Sequence, residues 1–275
     1  EERPVQRSIS AMTPASWTDD SLFERNGTLS NTAMVSSMND GRGMGHWVGH
    51  GNETGIYYSS GTYYSSTNAD AAANGDKQGV AISIACMTGG VDLVSGGDCF
   101  AEHIINRSGG GGLGVMMNSR YGWGAYIPGI GYTIGPSEMI DTAFFYNIFH
   151  NGFNRQGQVL GLAKAAWAPY ADSSNQYDMM RWCLYELNLF GDPELPLWTD
   201  VPQNLTVNHD LFIPVGSANY QVSANDQASG LPVSGAMVCL MTKSGDVYQY
   251  DTTDVSGIVI FAASPSVVGD SLHVT

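Results

Sequence analysis

Charged residues are scarce in this sequence, and basic residues are the scarcest. Only 13% of the 275 residues are charged, against about 25% in an average soluble protein. Eleven lysines and arginines stand against 26 aspartates and glutamates, which gives a formal net charge of −15. Because such a surface repels phosphate groups, we expect neither nucleic acid nor an anionic membrane as a partner.

Long apolar runs and cysteines are also few. No stretch reaches the ~18–20 consecutive apolar residues that a membrane-spanning helix needs. Four cysteines are too few for a disulfide scaffold in a chain of this length. Hydrophobic residues nevertheless make up 43% of the chain, so it can build a large core. A composition low in lysine and rich in Ser, Thr, Asn and Gly favours a secreted or cell-surface protein.

Apolar runs alternate with helical patterns over the first 200 residues. The runs at 79–86 and 113–117 are continuously apolar, which is typical of strands buried on both faces of a parallel sheet. A shorter, glycine-rich run at 43–49 predicts a third strand. Helical periodicity is found in five segments: 32–40, 99–107, 136–150, 158–168 and 174–186. This order predicts a three-layer α/β fold for residues 1–200, and the segment 188–193 carries a strong turn signal.

The helical pattern disappears beyond residue 200. Short apolar runs there are separated by Gly, Pro, Asp and Ser turns, a pattern that predicts a β-sandwich. The runs are 220–224, 236–242, 247–251 and 258–262. We place the domain boundary at about residues 201 and 202, and interpret residues 201–275 as a truncated immunoglobulin-like module.

Two chemically capable side chains follow the ends of two predicted strands. Cys86 ends the run 79–86, and His50 follows the run 43–49, with Gly51 directly after it. Taken alone, Cys86 is either a nucleophile or a core residue that happens to be last. The carboxyl ends of neighbouring parallel strands form the ligand crevice of such sheets. A cysteine nucleophile needs a proton acceptor such as histidine, and an oxyanion needs backbone N–H donors. The sequence therefore predicts a dyad of Cys86 and His50, with the amides of Gly51 and Cys86 as oxyanion donors.

Five blocks of the sequence carry a further signal through their order. They are GHWVGHGN, SIACMTGG, GDCFAEHIINRSGGG, NSRYGWG and NLFGDPELPLW. Together they resemble the gingipain-type cysteine peptidases, relatives of the caspases, over roughly residues 33–200 and more weakly over the β-sandwich. The resemblance implies a caspase-like fold and assigns the catalytic dyad to His50 and Cys86. It also assigns substrate binding to Trp123, beside the primary specificity pocket, and to Tyr121 in the same segment.

The resemblance implies an extracellular cysteine endopeptidase that forms a thioester acyl-enzyme on protein or peptide substrates. It suggests Arg or Lys before the cleaved bond, which needs an acidic pocket floor. In the family that floor comes from the segment before the histidine strand, little of which this sequence contains; Asp92 and Asp98 are candidate substitutes, although nothing in their spacing demands it. The carboxylate that often orients the histidine would lie upstream of this chain, so none is assigned.

Carboxylates are plentiful enough to bind a structural calcium ion, as extracellular peptidases of this kind commonly do. No loop has the regular Asp-x-Asp-x-Asp-Gly pattern, so no ligand is named. The chemistry itself requires no cofactor.

Two alternatives come from different classes of protein. The first is an inactive homologue that uses the peptidase fold for surface adhesion or assembly. The second is a zinc-dependent hydrolase that binds its metal through His46 and His50, which are four residues apart. Neither a His-Glu-x-x-His pattern nor a Cys-x-x-Cys pair supports zinc, and the competing interpretation of His46 is a hydrogen-bonded core histidine.

The predicted sheet lacks strands at one edge. The chain begins with Glu1 rather than methionine, and caspase-like sheets normally have two strands before the histidine strand. Of the 42 residues ahead of that strand, 4–10 is the best strand candidate, with only Val5 and Ile9 apolar. A central strand needs a near-continuous apolar run. We therefore expect a processed fragment whose sheet is completed by a second chain from the same precursor.

Overall fold

The computed structural model describes residues 4–58, 61–128, 130–200 and 202–275. The chain divides into two compact units, Glu1–Val201 and Pro202–Thr275. The change of composition near residue 200 falls at the junction between them. Among the described residues, no helix has the length and the apolar character to cross a membrane.

The first unit mixes strands and helices along the chain. Its strands are β1 (Met44–Val48), β2 (His50–Asn52), β3 (Gly55–Tyr58), β4 (Gly61–Ser65), β5 (Gly79–Ile84), β6 (Gly112–Asn118), β7 (Ala125–Ile127), β8 (Gly131–Thr133) and β9 (Leu187–Gly191). Its α-helices are α1 (Pro4–Ser10), α2 (Asn31–Asp40), α3 (Ser66–Asp70), α4 (Phe100–Ile105), α5 (Pro136–Phe149), α6 (Gln156–Trp167) and α7 (Met179–Glu186).

A four-stranded sheet in the order β1-β5-β6-β9 forms the centre of this unit. Strands β1, β5 and β6 run parallel, and β9 is antiparallel to β6. Five consecutive residues of β5, Val80 to Ile84, are buried. Both faces of β5 are covered, which explains why its sequence is continuously apolar instead of alternating.

Helices cover both faces of the sheet. Val80 and Ile82 of β5 pack into a cluster with residues of α1, α5, α6 and α7. Ala81 of the same strand packs on the other face, where α4 contributes the fully buried Phe100 and Ile104. The mixed α/β architecture that the sequence predicts is therefore confirmed.

Helix starts follow the local sequence where a polar side chain is available as a cap. Ser30 Oγ accepts a hydrogen bond from the Ala33 amide (3.1 Å) at the start of α2. Asp178 does the same for the Arg181 amide (2.6 Å) and fixes the start of α7 at Met179. The sequence prediction that this helix begins at residue 174 is wrong, because the Asp178 cap places the helix start later.

One other prediction for the first unit is wrong. The segment 188–193, expected to be a turn, forms most of β9, where Phe190 pairs with Val115 and Leu189 with Met116 of β6. Pairing with a buried strand outweighs the local turn signal, and the chain leaves the sheet only after Gly191. The segment Pro4–Ser10, which the sequence indicates is too poor in apolar residues for a central strand, forms helix α1, and its Ile9 packs into the core cluster on the α5 face.

The second unit consists of antiparallel strands. They are β10 (Leu205–His209), β11 (Ala218–Asp226), β12 (Met237–Thr242), β13 (Tyr248–Thr252), β14 (Ile258–Ala263) and β15 (Leu272–Val274). Two three-stranded sheets, β10-β11-β14 and β13-β12-β15, share one core cluster that includes Val222, Leu240 and Phe261. Burial alternates along β11 and β14, as expected for strands with one covered face. The assignment to the immunoglobulin-like class stays a prediction.

Candidate active site

The carboxyl ends of β1 and β5 bring His50 and Cys86 to one edge of the sheet. The two strands are parallel neighbours in which Val48 lies opposite Ile84. The Gly49 amide continues the pairing by donating to the Ile84 carbonyl (3.2 Å). His50 and Cys86 each stand two residues beyond this last pair, His50 exposed and Cys86 half-buried. The fold thus places a thiol and an imidazole at the same end of neighbouring strands.

Gly51 approaches the Cys86 backbone more closely than any other residue type could. A Cβ atom on Gly51 would lie 2.9 Å from the Cys86 carbonyl oxygen, 2.9 Å from Ala85 Cβ and 2.7 Å from Thr88 Cγ2. A real side chain would force the two segments apart. The absence of a side chain at position 51 therefore lets β2, which begins at His50, lie against the turn that follows Cys86.

That turn is strained and firmly held. Met87 has a φ of +59°, in the left-handed region that residues with a side chain rarely adopt. Its amide donates to the Arg120 carbonyl (2.8 Å), and the Gly89 amide donates to the Asn118 carbonyl (2.9 Å). Thr88 Oγ1 donates to the Ala85 carbonyl (2.9 Å). Local strain of this kind concentrates at functional turns, and here it redirects the chain immediately after the thiol.

Cys86 holds its proton tightly in this arrangement. Its Sγ lies 3.9 Å from the Gly122 carbonyl oxygen, toward which the thiol donates. Burial raises the pKa of the Cys86 thiol, and the negative charge of Glu186 raises that pKa further. Formation of the thiolate therefore depends on a proton acceptor and on the charges around the site.

Tyr121 and Trp123 flank the carbonyl that faces the thiol. Both aromatic residues are exposed, Tyr121 by 59% and Trp123 by 41%. Two hydrogen bonds to Ser137 of α5 fix the backbone of Trp123. Its amide donates to Ser137 Oγ (2.9 Å), and its carbonyl accepts from the Ser137 amide (3.1 Å). The segment 119–124 thus presents two aromatic rings beside Cys86 on an anchored backbone.

The two carboxylates considered for the pocket floor differ in their surroundings. Arg120 donates to both Asp92 oxygens, at 3.0 and 2.7 Å, and lowers the pKa of that carboxyl. Asp92 is therefore already neutralised by a cation of this chain. Asp98 is exposed and precedes the cap residue of α4, Cys99, whose amide donates to Glu102 Oε2 (2.8 Å).

His46 packs against α5, on the face of the sheet that this helix covers. Its Nε2 lies 2.7 Å from Asp141 Oδ2, and its ring makes an edge-on contact with Phe145 (5.3 Å between centroids). Asp141 is completely buried. Within the described part of the chain, no group of three or more His, Cys, Asp and Glu side chains is arranged to hold a metal ion. The interpretation of His46 as a hydrogen-bonded core histidine is therefore confirmed.

Glu186 is the residue near the site that the sequence analysis missed. It is the last residue of α7, is only 2% exposed and accepts a hydrogen bond from Asn118 Nδ2 (3.0 Å) on Oε1. Burial raises the pKa of Glu186 to about 7. A single glutamate at the junction of a helix and an apolar run was the available signal, but its burial comes only from tertiary packing.

Comparison with known proteins points to one family. The model of peptidase family C25 matches residues 3–198. The Arg-specific cysteine proteinase gingipain R has the same fold, with a TM-score of 0.70 and 16% identity over 98% of this chain and 59% of that chain. The complex of Porphyromonas gingivalis RgpB pro- and mature domains gives a TM-score of 0.67 and 15% identity, again over 98% of this chain and 59% of that chain.

A third structure, described as a protease, has a TM-score of 0.59 and 18% identity over 89% of this chain and 54% of that chain. At such identities the likeness establishes the fold alone. This chain spans about three fifths of the length of the first two structures. No curated protein sequence matches it.

Proposed function

Because this chain belongs to peptidase family C25, we propose that it carries the catalytic dyad of a cysteine endopeptidase, with Cys86 as nucleophile and His50 as general acid and base. The observation that carries the proposal is the geometry at the carboxyl ends of β1 and β5. The strand register puts both residues two positions past the last pair, and Gly51 lies against the Cys86 turn as only glycine can.

The proposed reaction is acyl transfer through a thioester. His50 takes the thiol proton, and the Cys86 thiolate attacks the carbonyl carbon of the scissile peptide bond. The amides of Gly51 and Cys86 stabilise the oxyanion of the tetrahedral intermediate. His50 then returns its proton to the leaving amine as the C–N bond breaks. In the second half, His50 accepts a proton from water, and the hydroxide attacks the thioester carbonyl carbon. The C–S bond then breaks, the carboxylic acid product leaves, and His50 returns its proton to the Cys86 thiolate.

We assign substrate contact to the exposed rings of Trp123 and Tyr121. Cleavage after Arg or Lys is the proposed specificity, and the likeness to the Arg-specific gingipain R supports Arg. A cationic side chain needs an unpaired carboxylate, and Asp92 is engaged by Arg120. Asp98, the other candidate, is exposed. We propose that a segment of the second chain of the precursor supplies the acidic floor.

The partner we propose is a second chain of the same precursor. Within the described ranges, β1 stands at the edge of the central sheet. A groove of about 210 Å³ runs beside it, lined by residues that include Trp17, His46 and Phe145. A strand from the precursor would pair with β1 and cover this groove. Denaturing mass spectrometry of native material should show a second polypeptide; a lone active chain of 29.4 kDa would overturn this.

Three further assignments stay proposals. The protein acts outside the cell or at its surface, as the composition favours. Its second unit is an immunoglobulin-like module, supported by two antiparallel sheets around one core. Any bound calcium is structural, since the proposed chemistry needs no metal.

The deciding experiment compares two cysteine variants of the full precursor. Cys86→Ala should abolish hydrolysis of fluorogenic Arg and Lys peptides while leaving the melting temperature nearly unchanged. Cys239→Ala, which removes a half-buried thiol from the second unit, is the matched control and should retain full activity. Undiminished hydrolysis by Cys86→Ala would overturn the proposal. A folded wild-type precursor without hydrolysis or thiol labelling would favour the inactive homologue.

A further inference from the structure

Glu186 is a buried acid whose carboxyl group has no cation within hydrogen-bonding distance among the described residues. Oε1 accepts from Asn118 Nδ2 (3.0 Å), whereas Oε2 has no hydrogen bond of acceptable geometry in this structure. The Cys183 thiol, three residues earlier on α7, interacts with the carboxyl group but lies 3.2 Å from Ser137 Oγ. An ionised carboxylate in such surroundings is poorly solvated, so the site favours the neutral acid.

Glu186 is connected to the catalytic segment through two hydrogen bonds. Its backbone carbonyl accepts from the Ser119 amide (2.7 Å), and its side chain holds Asn118. Asn118 in turn accepts the Gly89 amide (2.9 Å) of the turn that follows Cys86. The residues that follow, 120–123, provide the carbonyl facing the thiol and the ring of Trp123. Glu186 therefore holds Asn118 through its side chain and Ser119 through its backbone, next to the turn that follows the nucleophile.

The charge of Glu186 also reaches Cys86. A negative charge on Glu186 raises the pKa of the Cys86 thiol. Of the other titratable groups around it, Lys164 on α6 partly offsets that charge, and Cys183 stays protonated because burial raises the pKa of its thiol to about 12. On α5, the buried acids Glu138 and Asp141 are engaged by the Gly135 amide and by His46.

We propose that Glu186 is a positioning residue that works as a neutral carboxylic acid, holding Asn118 and the segment 119–124 in place while keeping negative charge away from the Cys86 thiolate. If Glu186 lost this proton to solvent, its carboxylate would still accept the hydrogen bond from Asn118. Its negative charge would, however, disfavour the Cys86 thiolate. The inference rests on Cys86 being the nucleophile. Burial, which raises the pKa of Glu186 to about 7, places this change in the working range of most enzymes.

The test follows alkylation of Cys86 by iodoacetamide, quantified by peptide mass spectrometry from about pH 5.5 to about pH 9. This reaction needs no peptidase activity, so it separates the role of Glu186 from the proposed function. Glu186→Gln keeps an acceptor for Asn118 but cannot ionise. We expect the alkylation profile of this variant to lie about one pH unit lower than that of the wild type. Above neutral pH, this shift corresponds to a roughly tenfold larger fraction of Cys86 thiolate. Glu194→Gln, an exposed control, should overlay the wild type.

A profile of Glu186→Gln that overlays the wild type, or that moves toward alkaline pH, would overturn the proposal. Glu186→Ala separates anchoring from charge: it should show the same acid shift but a higher KM for peptides, because Asn118, which directly precedes the segment 119–124, loses its side-chain anchor. If neither variant folds, the wild-type protein labelled with ¹³C-glutamate decides. One glutamate carboxyl should then titrate near pH 7, with a matching inflection in the alkylation rate; glutamates that all titrate near their ordinary pKa would contradict the proposal.

Discussion

His46 and His50 lie four residues apart on one stretch of chain, yet the fold gives them opposite surroundings. His46 is within β1, mostly buried, and bonded to the completely buried Asp141. His50 is exposed and lies two residues past the last pair of β1 with β5, as Cys86 does on the neighbouring strand. Their spacing in the sequence is compatible with a shared metal site, but their positions relative to the strand end separate them. The position of a histidine relative to the end of the strand therefore determines whether its side chain is available for chemistry.

The largest expected effect is on turnover, when His50 is replaced. His50→Gln should lower kcat/KM for peptide substrates by about 10²–10⁴-fold, the usual contribution of a positioned acid–base group. Because the side chain is exposed, the melting temperature should move little. Steady-state kinetics and a thermal melt on the same preparation check both statements. A variant that keeps more than about half of the activity would contradict the role of His50 as the acid–base group.

His46→Gln should show the reverse pattern. Its removal leaves the fully buried Asp141 without its imidazole partner, which costs about 2–4 kcal/mol of unfolding free energy. Turnover of the folded fraction should change only slightly. Denaturant unfolding measures the loss, and His46→Gln combined with Asp141→Asn should cost less than the two single changes added together. Strictly additive losses would mean that the pair does not interact.

Asp141 and Glu186 extend the comparison to two buried acids, one with an imidazole partner and one with an amide. Because burial raises the pKa of folded Glu186 from 4.5 to about 7, the folded state keeps this proton when the unfolded chain has released it. Stability is therefore lost as pH rises from about 4.5 and levels off above about 7. In Glu186→Gln this loss is absent, so its stability relative to wild type should grow across that window by at most about 3 kcal/mol. A relative stability that stays constant from pH 4.5 to pH 8 would contradict the assignment.

Gly51 tests whether the close approach of the residue after His50 to the Cys86 turn is needed for turnover. Gly51→Ala introduces a Cβ 2.9 Å from the Cys86 carbonyl oxygen and should cost about 1–3 kcal/mol. Displacement of the dyad should lower turnover by about 10²-fold. Gly161→Ala is the matched control, since no atom lies within 4 Å of its added Cβ in α6. It should stabilise the protein by about 0.5–1 kcal/mol without affecting turnover. Equal effects of both variants would mean that position 51 is not special.

Much of the site could be predicted because its residues follow two recognisable strands. The apolar run of β5 ends near Cys86, and the shorter run of β1 ends two residues before His50, so elementary rules about parallel sheets bring them together. Strand β9 could not be predicted, because the turn residues of 188–193 are overridden by pairing with Met116 and Val115. Glu186 was missed for a related reason: nothing local distinguishes a glutamate that tertiary packing will bury.

Trapping the acyl-enzyme tests most directly whether Cys86 is the nucleophile and His50 its acid–base partner. A slowly hydrolysed peptide ester is added to the full precursor, and intact mass spectrometry with peptide mapping locates the acyl group. We expect one acyl group on Cys86 of the wild type and none in Cys86→Ala. The adduct should live longer in His50→Gln, because His50 no longer activates water, and should decay at the wild-type rate in His46→Gln. An acyl group on any other residue, or equal lifetimes in the two histidine variants, would contradict these roles.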